Sequence, residues 1–129
     1  MAIKESGKFD SEAFYERLLD FTKRCQKLVI SLPKTPYNEV YGKQLLRSSS
    51  SVSANYIEAL EALGKKDFIH KLRISRKETK ESVHWLRLIE FSNSNIPAIV
   101  KECQKLIKEG REIIKILSSS IITLEKKNY

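Results

Sequence analysis

Apolar residues recur along the chain at spacings of three and four, which is the period of a helix that buries one face. The first repeat runs through residues 11–31 and consists of Phe14, Leu18, Phe21, Cys25, Leu28 and Leu32. Asp10 or Ser11 can cap the first turn, because their side-chain oxygens accept hydrogen bonds from free backbone N–H groups. Pro33 and Pro36 follow, and proline cannot continue a helix interior. The pattern therefore predicts a first helix over 11–31.

The second repeat covers residues 38–63 and contains a run of serines. Its apolar or small positions are Tyr41, Leu45, Ser48, Val52, Asn55, Ala59 and Ala62, widened by Ser49, Tyr56 and Leu63. The run from Arg47 to Ala54 resembles a linker in composition, but it contains no Gly or Pro and keeps the helical period. We interpret it as helix, in which small side chains let a neighbouring helix approach and the hydroxyls bond to the preceding turn. Gly64 is expected to end this helix, and Asn55 to be buried and hydrogen-bonded within the fold.

Two further repeats predict a third helix over 65–91 and a fourth over 96–124. The third repeat consists of Phe68, Leu72, Ser75, Thr79, Ser82, Leu86 and Ile89. The fourth consists of Ile99, Cys103, Leu106, Gly110, Ile113, Leu117, Ser120 and Leu124. Four helices of this length with short connections predict an all-α fold, an antiparallel up-down-up-down four-helix bundle that forms one domain over 1–129.

The fourth helix carries a second apolar row, formed by Val100, Ile107, Ile114 and Ile121. Together with Trp85 and Leu88 on the flank of the third helix, this row exceeds what a narrow seam needs. It is compatible in equal measure with a wide core stripe and with a subunit interface.

The composition agrees with a small helical domain in a reducing compartment. Hydrophobic residues make up 41% and charged residues 31% of the chain, and 4 glycines and 3 prolines favour long helices over a sheet with many turns. No apolar run approaches the roughly 18 residues that cross a bilayer, and the first ten residues lack the apolar segment of a secretory signal. Cys25 and Cys103 fall on apolar seams and are expected to be core thiols. We therefore expect a cytoplasmic protein without a membrane partner.

Positive charge is concentrated in the third predicted helix. The net charge is +8, and residues 65–87 hold eight basic and three acidic side chains. At alternating spacings of four and three, every residue is cationic or can become so: Lys66, His70, Arg73, Lys77, Lys80, His84 and Arg87. These seven residues, here called the basic stripe, lie on the side of the helix opposite its apolar face.

The basic stripe has two interpretations. Lysines and arginines along a helix can track phosphates, so the stripe is a candidate binding site for RNA or DNA, without readout of bases. It is equally compatible with a solvated face that keeps the bundle in solution. No aromatic platform for stacked bases lies within the stripe. Glu81 is expected to pair with Arg73 or Lys77, which would dilute the positive field.

No catalytic motif accompanies the stripe. The sequence contains no P-loop, Gly-rich dinucleotide turn, Cys-x-x-Cys or Gly-x-Ser-x-Gly, and no suitably placed histidine serves the serine run. Glu81 and His84 match one Glu-x-x-His step of di-iron bundles, but such a site needs two copies, and His84 belongs to the outward stripe. Arg47 is expected to be a structural clamp to Glu78 or Glu81, or to reach a neighbouring subunit. We expect no enzyme activity, no cofactor and no metal.

Several short motifs carry a family resemblance. They are Gln44-Leu45-Leu46-Arg47-Ser48, Ser51-Val52-Ser53-Ala54-Asn55, Glu58-Ala59, Asp67-Phe68, Lys77-Glu78, Glu81-Ser82 and Trp85-Leu86. With these motifs the chain resembles the bacterial four helix bundle protein family, which includes proteins encoded within intervening sequences of 23S ribosomal RNA genes and the accessory protein of diversity-generating retroelements. The resemblance runs from residue 32 through the third helix, and the flanking helices agree in length and position. Many relatives read Ala-Asn-Ile-Ala-Glu-Gly where this chain has Ala-Asn-Tyr-Ile-Glu-Ala at 54–59.

The resemblance implies an up-down-up-down bundle that assembles as a ring, typically a pentamer, with a positively charged surface and no enzyme activity. The retroelement member works with a reverse transcriptase and RNA, but the departure at 54–59 indicates a separate branch, so that role is not transferred. We hypothesise a homo-oligomeric accessory protein that binds RNA or DNA electrostatically. The alternative is a structural or adaptor ring that binds a protein partner and has no nucleic-acid role.

Overall fold

The structure is a computed structural model that describes residues 9–126, so residues 1–8 and 127–129 of the predicted domain lie outside it. It contains four helices: α1 (Ser11–Ser31), α2 (Pro36–Leu60), α3 (Lys65–Ser92) and α4 (Pro97–Lys126). Loops of four residues join them, which forces consecutive helices to run antiparallel. Each helix packs on the next, and α4 packs back on α1. The predicted antiparallel four-helix bundle is confirmed.

Helix α2 begins and ends earlier than its apolar pattern predicts. It begins at Pro36, because the Thr35 hydroxyl accepts a hydrogen bond from the backbone N–H of Asn38 and proline loses nothing in the first turn. It ends at Leu60, so Leu63 is fully exposed and the prediction that Leu63 widens the buried face is wrong. Gly64 does not end α2 but is the N-cap residue of α3.

The core runs the length of the bundle and uses the predicted face of each helix. Its largest fully buried side chains include Phe14, Leu18, Phe21, Leu45, Leu72, Leu86, Leu106 and Leu117. From the second row of α4, Ile107 and Ile121 are buried and Ile114 packs against the core. These contacts favour the wide-core interpretation of that row over a subunit interface.

Serine and threonine hydroxyls line the places where helices approach closely. The Ser48 and Ser82 hydroxyl oxygens lie 2.8 Å apart and share a hydrogen bond between α2 and α3. The Ser75 hydroxyl donates to the Val52 carbonyl at 2.8 Å, also between α2 and α3. Between α1 and α2, the Thr22 hydroxyl donates to the Ser49 carbonyl at 2.8 Å. The serine run is therefore helix, as predicted, and its small side chains let backbone and side chain meet across the seam.

Asn55, expected to be buried, is hydrogen-bonded but only half-buried, and the buried asparagines are two others. Asn55 is half-buried, and its amide donates to the Ser51 carbonyl of its own helix at 2.9 Å, so it does not fix the register between helices. Instead Asn38 and Asn93 are buried and exchange two hydrogen bonds, of 2.9 and 2.8 Å, through their side-chain amides. The remaining amide hydrogens go to the carbonyls of Pro33 and Ile89. This pair joins the start of α2 to the end of α3.

Candidate nucleic-acid interface

Helix α3 presents the basic stripe to solvent along its whole length. Lys66, His70, Arg73, Lys77, Lys80, His84 and Arg87 are all exposed. On the opposite side, Leu72, Ser75 and Thr79 are buried against the neighbouring helices. The expected orientation of the stripe is confirmed.

Ion pairs divide the stripe into neutralised and free charges. Arg73 forms an ion pair with Glu125 of α4, so it contributes little net field. Within residues 9–126, Lys66, Lys77, Lys80 and Arg87 have no carboxylate within ion-pairing distance. The free positive charge therefore lies at the beginning and along the second half of α3.

Glu81 forms no ion pair with Arg73 or Lys77, although Lys77 is near enough to help lower the pKa of Glu81. Glu81 is held instead by Arg47 of α2, whose Nη2 donates to Glu81 Oε2 at 2.6 Å. The Nη1 of Arg47 donates to Glu78 Oε2 at 3.0 Å, and its Nε donates to Gln44 Oε1 at 3.0 Å. The hydrogen bond between Arg47 and Glu81 lowers the pKa of Glu81 below its ordinary value and raises the pKa of Arg47. The prediction of an Arg47 clamp is confirmed, with both carboxylates as partners.

The clamp gives the two flanks of α3 different charge. On the α2 side, the guanidinium of Arg47 forms ion pairs with two carboxylates, those of Glu78 and Glu81. Glu78 is buried, with 6% exposure. On the α4 side, the guanidinium of Arg76 donates to the Ser118 hydroxyl, which is uncharged. The clamp therefore places an excess of negative charge on the α2 flank of the stripe, whereas Arg76 on the α4 flank is bound to an uncharged partner.

A groove between α3 and α4 adds cations that the sequence pattern missed. Arg87 and Glu90 of α3 line it, together with Lys108, Arg111 and Lys115 of α4. In the sequence these α4 residues are ordinary polar positions of an amphipathic helix. The signal that could have found them is the antiparallel register, which places the end of α3 opposite the first half of α4.

His84 is the histidine of the single Glu-x-x-His step noted in the sequence. It is exposed and packs edge-on against the ring of Trp85, which in turn stacks on Tyr41. Its motif partner Glu81 is bound by Arg47. Residues 9–126 contain no group of three or more His, Cys, Asp or Glu side chains arranged to hold a metal ion.

The two cysteines are core thiols, as expected. Cys25 and Cys103 are both fully buried and unpaired. Burial raises the pKa of each thiol to about 12, so neither forms an appreciable thiolate near neutral pH. In the described part of the chain, no helix combines the length and apolarity required to cross a membrane.

Comparison with known proteins gives the chain its family. The family model of the 23S rRNA-intervening sequence protein matches residues 11–119. A solved structure from Bacteroides thetaiotaomicron VPI-5482, a protein of unknown function from the S23 ribosomal protein family, is 32% identical. The similarity covers 86% of this chain and 96% of that one, with a TM-score of 0.75. The comparison with curated proteins finds no match. With a match over nearly all of its helical residues, the chain belongs to the 23S rRNA-intervening sequence protein family.

Proposed function

We propose that this protein is a non-enzymatic accessory protein that binds RNA or DNA electrostatically through the exposed side of α3. The observation that carries the proposal is the row of exposed cations Lys77, Lys80 and Arg87, none of which has a carboxylate of residues 9–126 within ion-pairing distance. Residues 80 and 87 are separated by about 10 Å along the helix axis, a span over which a nucleic-acid backbone presents several phosphates.

The binding mechanism is the release of counterions from phosphates. Each lysine or arginine that contacts a phosphate displaces condensed cations, so affinity falls steeply as salt rises. The stripe has no exposed aromatic platform that would stack bases, so contact with the backbone is favoured over readout of sequence. The preference for RNA over DNA rests on the family resemblance alone, and the cytoplasmic location expected from the sequence remains part of this proposal.

Self-association would multiply this field, and a homo-oligomer is part of the proposal, with a pentamer suggested by resemblance. Exposed apolar side chains support it. Ile30, Tyr37, Val40 and Phe91 lie at the end of the bundle where α1 and α3 end and α2 begins, and Ile30 and Phe91 are 75% and 79% exposed. Apolar side chains gathered at one end of a small bundle are typical of a protein interface.

The same apolar end supports the second candidate function, a structural or adaptor ring that holds a protein partner. In that case the basic stripe is a solvated face. The neutralisation of Arg73 by Glu125 is compatible with this alternative, because a dedicated phosphate-binding row would keep that charge free.

Binding of a labelled structured RNA and a matched DNA duplex across a salt series tests the proposal, with oligomeric mass measured on the same sample. Lys77→Glu with Lys80→Glu is compared with the matched variant Lys23→Glu with Lys27→Glu, which changes the charge equally on exposed positions of α1. We expect the stripe variant to lose at least about tenfold in affinity, and the control far less. Equal losses, or no binding by the unaltered protein at low salt, would contradict the proposal and favour the adaptor function.

A further inference from the structure

We propose that the groove between α3 and α4 is a binding site for a nucleic-acid phosphodiester, which is bound by Arg87 from α3 and by Lys108 and Arg111 from α4. The inference rests on the proposed function and goes beyond it, because it moves the centre of the interface from a single helix to a cleft between two. It also assigns binding roles to residues outside the basic stripe.

The groove holds more positive charge than its own carboxylates can neutralise. It has a volume of about 500 Å³, and its charged lining consists of Arg87, Lys108, Arg111 and Lys115 against Glu90 and Glu112. Glu90 accepts a hydrogen bond from Gln104 Nε2 at 3.0 Å, and Glu112 pairs with Lys115 at 3.7 Å. Arg87, Lys108 and Arg111 keep no ion-pair partner within residues 9–126.

Close packing of the two helices brings these cations together. A Cβ atom placed on Gly110 would lie 2.7 Å from Cγ2 of Val83, so the Val83 side chain of α3 packs directly against the α4 backbone at Gly110. Arg111 follows Gly110 in the chain, and Arg87 lies one helical turn after Val83. Like charges held near one another repel, and an anion between them offsets that repulsion.

The surroundings of α3 direct an anion to this groove. On the α2 side, Arg47 faces the two carboxylates of Glu78 and Glu81, which repels phosphate. At the far end of the α3–α4 seam, Arg73 is neutralised by Glu125. The cations of the stripe that have no ion-pair partner within residues 9–126 therefore include Lys80 and Arg87 in its second half, and Arg87 lines the groove with α4.

The chemistry of the lining fits a phosphodiester. A guanidinium presents a planar fork of N–H donors that matches two phosphate oxygens, and two arginines from different helices can hold one phosphate from both sides. No aromatic side chain lines the groove, so it offers nothing on which a base would stack. An acidic peptide offers carboxylates in place of phosphates and is the competing occupant that the experiment distinguishes.

The test compares three pairs of substitutions that each remove two charges: Lys108→Gln with Arg111→Gln in the groove and outside the stripe, Lys77→Gln with Lys80→Gln on the stripe, and Lys23→Gln with Lys27→Gln on α1. Affinity for a structured RNA is measured across a salt series, and circular dichroism confirms that each variant is folded. We expect the groove pair to lose at least about tenfold in affinity and the salt slope to fall by about 2, with the α1 pair close to the unaltered protein.

The outcomes separate the two proposals. If the groove pair binds RNA as the unaltered protein does while the stripe pair loses affinity, the groove inference is overturned and the proposed function stands. If the unaltered protein binds no RNA or DNA at low salt, both fail. Polyglutamate serves as the peptide probe. If it competes with RNA at equal charge concentration, and the groove pair weakens its binding as much as that of RNA, a phosphodiester site is overturned.

Discussion

Arg47 of α2 holds the carboxylate of Glu78 in α3, with Nη1 3.0 Å from Oε2, and Glu78 is 6% exposed although it is an acidic residue. A buried carboxylate is tolerated when a charged donor compensates for its lost hydration. The same guanidinium also binds Glu81 at 2.6 Å. Arg47 therefore stabilises the packing of α2 on α3 and keeps two negative charges in fixed positions beside the basic stripe.

Arg47→Met removes the donor but keeps most of the aliphatic stem, and we expect it to lower the free energy of unfolding by about 1–3 kcal/mol. Urea denaturation measures the loss. The matched control is Lys43→Met, which breaks an exposed pair with Glu39 and should change stability by no more than about 0.5 kcal/mol. In the background of Glu78→Gln, the cost of Arg47→Met should shrink. If Arg47→Met and Lys43→Met lowered the free energy of unfolding equally, the buried carboxylate of Glu78 would not need Arg47 for its stability.

The stabilisation by Glu81 should depend on pH in a defined direction. The hydrogen bond from Arg47 lowers the pKa of Glu81 in the folded state. Its contribution is therefore present above the unfolded-state pKa of about 4.3 and is lost as the pH falls through the folded-state value. We expect the stability difference between the unaltered protein and Glu81→Gln to be constant from about pH 7 to pH 6 and to shrink below about pH 4. A difference that stays constant through this acid range would contradict the assignment.

Replacing one member of the buried amide pair should cost more than replacing an amide bonded to its own helix. Asn93→Ala leaves the amide of Asn38 buried without its partner, and we expect a loss of about 2 kcal/mol in the free energy of unfolding. Asn55→Ala removes one bond to the Ser51 carbonyl and improves helix propensity, so it should be near neutral. Chemical denaturation of both variants tests the contrast, which would be refuted by equal losses.

Gly110→Ala should destabilise the bundle although alanine is the better helix former. The added Cβ would lie 2.7 Å from the buried Val83 side chain, so Val83 or the helix must shift to accommodate it. We expect a net loss of about 1–3 kcal/mol, as in other overpacked cores, measured by thermal or urea unfolding. Val83→Ala in the same chain should recover part of the loss.

Gly42→Ala is the comparison for this substitution. Its Cβ would lie 3.0 Å from the half-buried Val29, which has room to shift, so the loss should be smaller. A larger loss at position 42 than at 110 would show that the α3–α4 approach is not the tighter one.

The fold was predictable because it depends on local periodicity, whereas the contacts of the site depend on register between helices. The faces of α1 and α3 follow from spacings of three and four, and Cys25 and Cys103 could be placed in the core from the same pattern. The early start of α2 depends on the Thr35 cap. Pro36, taken alone, indicates the interruption of a helix, but after this cap it is the first residue of one. The apolar spacing places Leu63 on the buried face of α2. It contains no information about where the helix ends, and the helix ends at Leu60.

The pairings beyond one helix were harder to predict. Arg47 could be matched with Glu78 and Glu81 because α2 and α3 are consecutive and joined by a short loop. Asn38 and Asn93 join the same two helices, but one lies at the start of α2 and the other at the end of α3, 55 residues later, and nothing in either segment alone points to the other. The α4 cations of the groove were missed for the same reason, because they form a site only when the fold places Arg87 opposite them.

The serines of α2 have a consequence for how the chain acquires its structure. Five of the six residues 48–53 are serine, and hydroxyls at 48, 50, 51 and 53 bond to carbonyls of their own helix. Serine is a weak helix former, so this segment gains little from nucleating by itself and depends on α3 to remain helical. We therefore expect α2 and α3 to fold together as one cooperative helical hairpin. Amide protons in the serine segment should exchange with solvent only when that hairpin opens as a whole.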